Sequence, residues 1–132
     1  MLAVGGGGLI AGIGGYLKAV RPEIEVVGCW PENSPVMLRC LEAGRVIDVP
    51  EQATLSESTA GGLEPGSVTL DICKRVIDRC MLVTEEEIAS AMRRPPAQLR
   101  EEQARVLASG AIAAEVSPER RSFQSRQRRW MR

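Results

Sequence analysis

The sequence predicts an α/β domain of three layers, a mostly parallel sheet with flanking helices. Three observations carry that expectation. Short apolar runs at residues 1–4, 24–30 and 80–83 alternate with longer segments of helical apolar spacing, the order that yields parallel strands joined by crossover helices. The run Val26-Val27-Gly28-Cys29-Trp30 is continuously apolar, as in a strand covered on both faces. Four consecutive glycines, Gly5, Gly6, Gly7 and Gly8, stand between the first strand and the first helix, where the chain must turn sharply. The length of 132 residues suits a single core.

Each element has its own signal. Residues 1–4 read as the end of a strand that runs straight into the glycines. Leu9, Ile10, Ile13, Leu17 and Val20 recur at helical spacing; Gly12, Gly14 and Gly15 weaken an isolated helix by up to about 1 kcal/mol each, so burial against the sheet must offset them. Arg21-Pro22-Glu23 ends this helix, and residues 24–30 form the second strand, completing a βαβ unit. Ser34 is placed to cap a helix over residues 35–43, with Pro35 in its first turn and Gly44 closing it. A short extended piece at 46–49 precedes a Ser-, Gly- and Pro-rich loop at 50–66. Ser67 can cap a helix over 69–78 that presents Leu70, Cys73, Val76 and Ile77 on one face, and a third strand follows. Thr84 and Glu87 form a capping box opening a helix over 85–93, where Glu85, Glu86 and Glu87 suit the positive end of the helix dipole. Pro95-Pro96 breaks the chain, and an Ala-rich helix is expected from 101 to 116.

Composition narrows the chemistry. The chain is 44% hydrophobic and 26% charged with a formal charge of zero, enough apolar material for a core and no general attraction to nucleic acid or to an anionic membrane. The charge is unevenly placed: residues 117–132 hold six arginines and one acid, a net +5, which leaves −5 on residues 1–116. The sequence therefore divides into a domain at 1–116 and a basic tail at 117–132 without apolar periodicity. There is no histidine, which removes Ser-His-Asp and Cys-His catalysis. Cys29, Cys40, Cys73 and Cys80 contain no C-x-x-C pair and read as free thiols of a reducing, cytoplasmic compartment. Cys29, Cys73, Tyr16 and Trp30 read as packing residues. The apolar stretch at 2–13 is broken by five glycines and is too short to cross a bilayer.

The glycine run is the feature that carries chemistry. A phosphate needs several backbone N–H groups converging on one point; chain without Cβ atoms can wrap the anion while a helix N-terminus supplies a favourable dipole. Which phosphate compound binds stays open on this ground. Gly6-x-Gly8-x-x-Ala11 fits the dinucleotide fingerprint, with Glu32 near the place of a ribose-binding acid, so a phosphate- or dinucleotide-binding module without chemistry is one reading. A P-loop is excluded, because no Gly-Lys-Ser/Thr follows the glycines.

The segment Val4-Gly5-Gly6-Gly7-Gly8-Leu9-Ile10-Ala11-Gly12, followed by Tyr16-Leu17-Lys18 and Pro22, resembles the tetraglycine loop and helix of pyridoxal-phosphate-dependent serine/threonine dehydratases. The resemblance continues through Val26-Val27-Gly28, Pro31-Glu32-Asn33-Ser34, Leu41-Glu42-Ala43-Gly44, Val76-Ile77-Asp78 and Val83-Thr84-Glu85-Glu86-Glu87-Ile88, and covers about residues 2–116. It implies part of a tryptophan-synthase-β-like domain in which the backbone of Gly5, Gly6, Gly7, Gly8 and Leu9 holds the phosphate of pyridoxal 5′-phosphate. It also implies an ammonia lyase that eliminates the β-hydroxyl of a small hydroxy amino acid to give a keto acid and ammonia, with room for a homo-oligomer of the full-length enzyme. The family's cofactor-linked lysine sits in a Ser-x-Lys-x-Arg-Gly segment. This chain has no such segment, and its two lysines, Lys18 and Lys74, match no such motif, so no catalytic residue is assigned and the isolated chain is expected to be inactive. The cation site of related racemases is also lost, since its acidic positions hold Trp30, Ser34 and Val36; no metal is expected there.

Overall fold

A computed structural model describes residues 1–109. Strand β1 (Leu2–Ala3), helix α1 (Gly8–Val20), strand β2 (Val27–Pro31), helix α2 (Val36–Ala43), a 3₁₀ turn (Glu57–Thr59), helix α3 (Val68–Val76), strand β3 (Arg79–Val83), and helices α4 (Glu85–Arg93) and α5 (Pro96–Ser109) follow in that order. The three strands form a parallel sheet in the order β1-β2-β3, with Leu2 opposite Gly28 and Gly28 opposite Cys80. The ladder runs past its formal ends: Val4 donates to the Cys29 carbonyl at 2.9 Å, and Glu32 to that of Val83 at 2.9 Å. This is the α/β architecture, a parallel sheet with flanking helices, that the alternating pattern implies.

Register and the period of two place Val4, Val26, Gly28, Trp30 and Cys80 on one sheet face. That face builds the core with Ile10 and Ala11 of α1, Met37, Cys40 and Leu41 of α2, and Leu70, Cys73 and Val76 of α3. Gly28 is required there. A Cβ on it would stand 2.5 Å from Trp30 Cη2 and 3.3 Å from a Val4 methyl, so the indole lies across bare backbone. On the other face Val27 is fully buried, whereas Cys29 and Met81 are half-buried.

Several elements depart from the sequence expectation. In α1 the buried positions are Ile10, Ala11 and Gly14, while Leu9, Ile13, Tyr16 and Val20 are exposed. The reason is Gly14: a Cβ there would lie 2.9 Å from a Val76 methyl, so the helix turns its bare side to α3 and its larger apolar side chains outward. Tyr16 is thus no packing residue, being 68% exposed, whereas Trp30 is buried. Helix α2 starts one residue later than expected, with Pro35 as N-cap and no side-chain cap; the Ser34 hydroxyl is bonded instead to the Glu51 carboxylate. Residues 46–49 form no strand; Val46, Ile47 and Val49 lie against the core as irregular chain, and Cys40 Sγ holds the Ile47 N–H and carbonyl at 3.5 and 3.7 Å.

Ser67 stands at the N-cap of α3 without capping it. The last helix begins at Pro96 rather than at Glu101, because proline fits a first helical turn, where its missing N–H costs nothing. Helix α4 has the expected bounds and the expected capping box: Glu87 N–H donates to Thr84 Oγ1 at 3.2 Å, and Thr84 N–H to Glu87 Oε2 at 2.9 Å. The expected helix segment 110–116 and the tail 117–132 lie outside the described residues. Among the described residues, no helix is long and apolar enough to cross a membrane.

Candidate functional site

The glycine run leaves the C-terminal end of β1, the end at which parallel α/β sheets place their ligands. Val4 is buried, so the loop is anchored at its root. Gly7 is the N-cap of α1 at φ +82°, a left-handed conformation that costs any residue with a Cβ about 1–2 kcal/mol. The loop is packed on one side and open on the other. A Cβ on Gly5 would lie 3.1 Å from Thr59 Cα, and one on Gly7 would lie 2.5 Å from Met37 Cε and 2.9 Å from Cys73 Sγ, whereas Cβ atoms on Gly6 and Gly8 would meet nothing within 4 Å.

The start of α1 is electrostatically unsatisfied. The helix has 13 residues, no side-chain cap and no acidic residue in its first turn, and first-turn N–H groups have no i−4 carbonyl to bond. An anion beside Gly6 and Gly8 meets these donors and the positive end of the helix dipole. Leu9 is 62% exposed and apolar, so its backbone N–H is the one polar donor that it offers beside the loop. Gly5, Gly6, Gly7, Gly8 and Leu9 are thus brought together in a cradle whose chemistry fits a phosphate group.

Helix α3 forms the wall behind the loop. Thr69 Oγ1 donates to the Gly6 carbonyl at 2.7 Å and pairs with Ser67 Oγ at 2.7 Å. The Gly7 carbonyl accepts from Ala11 N–H at 2.9 Å and from Cys73 Sγ at 3.7 Å. Burial pushes the Cys73 thiol up to about 11, so it stands as a neutral donor at ordinary pH. Thr59, which packs on Gly5, is itself held by Ser56 through hydroxyl contacts of 2.8 and 2.9 Å. Sequence reading missed Thr59, Thr69 and Met37 as loop neighbours and took Cys73 for core alone. The one available signal was the i, i+4 spacing of Thr69 and Cys73 on a single helix face.

Other candidate residues lie elsewhere. Glu32 is exposed and lines a cleft of about 400 Å³ with Asn33, Arg39, Asp48 and Gln52, to which the glycine loop contributes nothing. Lys18 Nζ lies 2.6 Å from Asp78 Oδ2 and donates to the Ile24 carbonyl at 2.9 Å. Lys74 Nζ donates to the Gly44 carbonyl at 2.9 Å, where α2 ends. Both lysines are committed to holding the fold. Trp30, Ser34 and Val36 are buried. Cys29, Cys40, Cys73 and Cys80 form no disulfide.

Comparison with known proteins gives the family. The sequence model of the family described as pyridoxal-phosphate dependent enzyme matches residues 1–127. The L-threonine ammonia-lyase of Thermotoga maritima is 38% identical over 117 residues, 89% of this chain and 28% of that enzyme. The catabolic L-threonine dehydratase of Escherichia coli K12 is 34% identical over 92 residues, 70% of this chain and 28% of that enzyme. Among solved structures, the T.th. threonine deaminase superposes with a TM-score of 0.59 at 34% identity, over 69% of this chain and 32% of that one. Maize serine racemase superposes with a TM-score of 0.63 at 26% identity, over 69% and 28%. The chain thus spans about a third or less of the length of these relatives. With a family match along nearly its whole length, and with a glycine turn where β1 meets α1, the chain belongs to the family of pyridoxal-phosphate-dependent enzymes.

Proposed function

We propose that this chain forms the cofactor-phosphate part of an ammonia lyase acting on a small hydroxy amino acid, threonine or serine. The observation that carries the proposal is the open side of the glycine loop at an uncapped helix N-terminus, taken with relatives named for threonine ammonia-lyase activity. The chemistry that bound pyridoxal 5′-phosphate supplies is electron withdrawal from the substrate α-carbon, which permits loss of the β-hydroxyl and release of a keto acid and ammonia. The part played by these residues is binding and orientation. The N–H groups of Gly5, Gly6, Gly7, Gly8 and Leu9 hold the phosphate, and the bare Cα atoms of Gly6 and Gly8 let it approach the backbone.

No residue of this chain is assigned to proton transfer at the reacting carbon. Lys18 and Lys74, its two lysines, already bond Asp78, Ile24 and Gly44, so the purified 132-residue chain binds the cofactor without turning over substrate. Residues 1–116 constitute the cofactor-binding unit and 117–132 a basic tail, in a cytoplasmic enzyme that self-associates at full length. The test is calorimetric titration of the purified chain with pyridoxal 5′-phosphate and with pyridoxal, beside an assay for keto acid release from threonine and serine. Tighter binding of the phosphorylated form with no keto acid is expected. Equal binding of the two overturns the phosphate site, and keto acid release overturns the assigned lack of catalysis.

A further inference from the structure

We infer that Thr69, seconded by Cys73 one turn further along α3, is a positioning residue that sets the direction of the loop's N–H groups; the inference rests on the reading of the glycine loop as the phosphate site. The physical difficulty is the freedom of glycine. A run of four can point any of its peptide planes either way, since no Cβ restricts φ and ψ, and a plane turned the wrong way presents a carbonyl oxygen to the anion instead of an N–H. Something outside the run must choose.

The choice is made from behind. In a trans peptide the carbonyl of one residue and the N–H of the next belong to one rigid plane and point in opposite directions. Cis peptides are absent among the described residues. The Thr69 hydroxyl binds the Gly6 carbonyl at 2.7 Å, which turns the Gly7 N–H away from α3. Cys73 Sγ at 3.7 Å and Ala11 N–H at 2.9 Å bind the Gly7 carbonyl, which turns the Gly8 N–H away likewise. Away from α3 is the open side, where Cβ atoms on Gly6 and Gly8 would meet nothing within 4 Å. The α3 side is filled: a Cβ on Gly7 would meet Cys73 Sγ at 2.9 Å and Thr69 Cβ at 3.4 Å.

Ser67 completes the arrangement. Its hydroxyl lies 2.7 Å from Thr69 Oγ1, and because the Thr69 proton is used on Gly6, Ser67 is the donor of that pair. This accounts for an N-cap serine that does not cap its helix. Thr69 is thereby held in one rotamer, accepting from Ser67 and donating to Gly6.

The experiment uses the full chain and two probes, pyridoxal 5′-phosphate and pyridoxal, with Thr69→Val and Thr69→Ser. Valine keeps the shape and removes the donor. Thr69→Val is expected to weaken pyridoxal 5′-phosphate binding by about tenfold, the effect of losing one well-made hydrogen bond, while pyridoxal binding stays unchanged. Thr69→Ser restores affinity to within about twofold, since it keeps the hydroxyl. In amide NMR, the Gly7 and Gly8 signals shift on addition of pyridoxal 5′-phosphate in the wild type and Thr69→Ser, and respond weakly in Thr69→Val. A Thr69→Val chain that still prefers the phosphorylated probe as the wild type does overturns the positioning role alone. One that loses both probes equally also overturns it, showing a general structural defect. A wild type that binds the two probes equally removes the phosphate reading, and the positioning role falls with it.

Discussion

Gly6 and Gly7 are neighbours with different needs, and their alanine variants separate folding from binding. Gly7 has φ +82° and no room for a Cβ beside Met37 and Cys73, so Gly7→Ala combines left-handed strain with overpacking. A loss of about 3 kcal/mol in urea unfolding is expected. Gly6 has no positive φ and empty space where a Cβ would go. Gly6→Ala is therefore expected to leave stability within about 0.5 kcal/mol and to weaken pyridoxal 5′-phosphate binding about tenfold or more, because the methyl occupies the phosphate's approach. Cys73 adds a pH signature. Burial raises its thiol from the ordinary 9.0 to about 11; between these values the unfolded chain releases the proton while the folded chain keeps it, so stability falls as pH rises through that window. Urea midpoints at pH 8 and pH 10.5 should differ by more in the wild type than in Cys73→Ala.

At the scale of elements, what was legible depended on whether a signal is local. Helix α4 was readable to the residue because its capping box lies within four positions of sequence. Thr84→Ala removes the acceptor of the Glu87 N–H, a loss of about 1 kcal/mol. Since α4 buries no residue fully, the expected result is faster amide exchange at Glu86, Glu87 and Ile88 with little change in global melting. The start of α2 was misread because Ser34 found a partner 17 positions away, in Glu51, and no local rule reports that. Lys18 and Asp78 show the same effect. Together they tie the end of α1 to the Ile24 carbonyl and the Val26 N–H, bonded at 2.9 and 2.7 Å. Lys18→Met is expected to cost about 1 kcal/mol, a value kept low by the pair's partial exposure, as read from urea unfolding at low and high salt.

For the molecule as a whole, helix α1 divides its surface between two tasks. Its bare side meets α3 through Gly14, and its outward side carries Leu9, Ile13, Tyr16 and Val20 as one exposed apolar stripe. Such stripes promote association in water. Ile13→Lys combined with Tyr16→Lys is expected to raise the concentration at which the purified chain stays free of aggregates, with an unchanged circular dichroism spectrum; light scattering provides the check. Sequence periodicity marked Leu9, Ile13 and Val20 as helical and apolar, but it cannot tell which side of a glycine-rich helix faces inward.

What the sequence determined by itself was the alternation of strands and helices, the parallel sheet, the capping box of α4, and the glycine turn between β1 and α1. Those features rest on neighbouring residues, because period, propensity and turn chemistry act within a few positions. The tertiary structure decided which glycines are packed and which are open, which face of α1 is buried, and that Thr69 and Cys73 stand behind the loop. Thr69 meets Gly6 across 63 positions of sequence and Cys73 meets Gly7 across 66. Such contacts arise only when the sheet brings β1 beside β2 and the core packs α3 against α1, so their physical cause is packing.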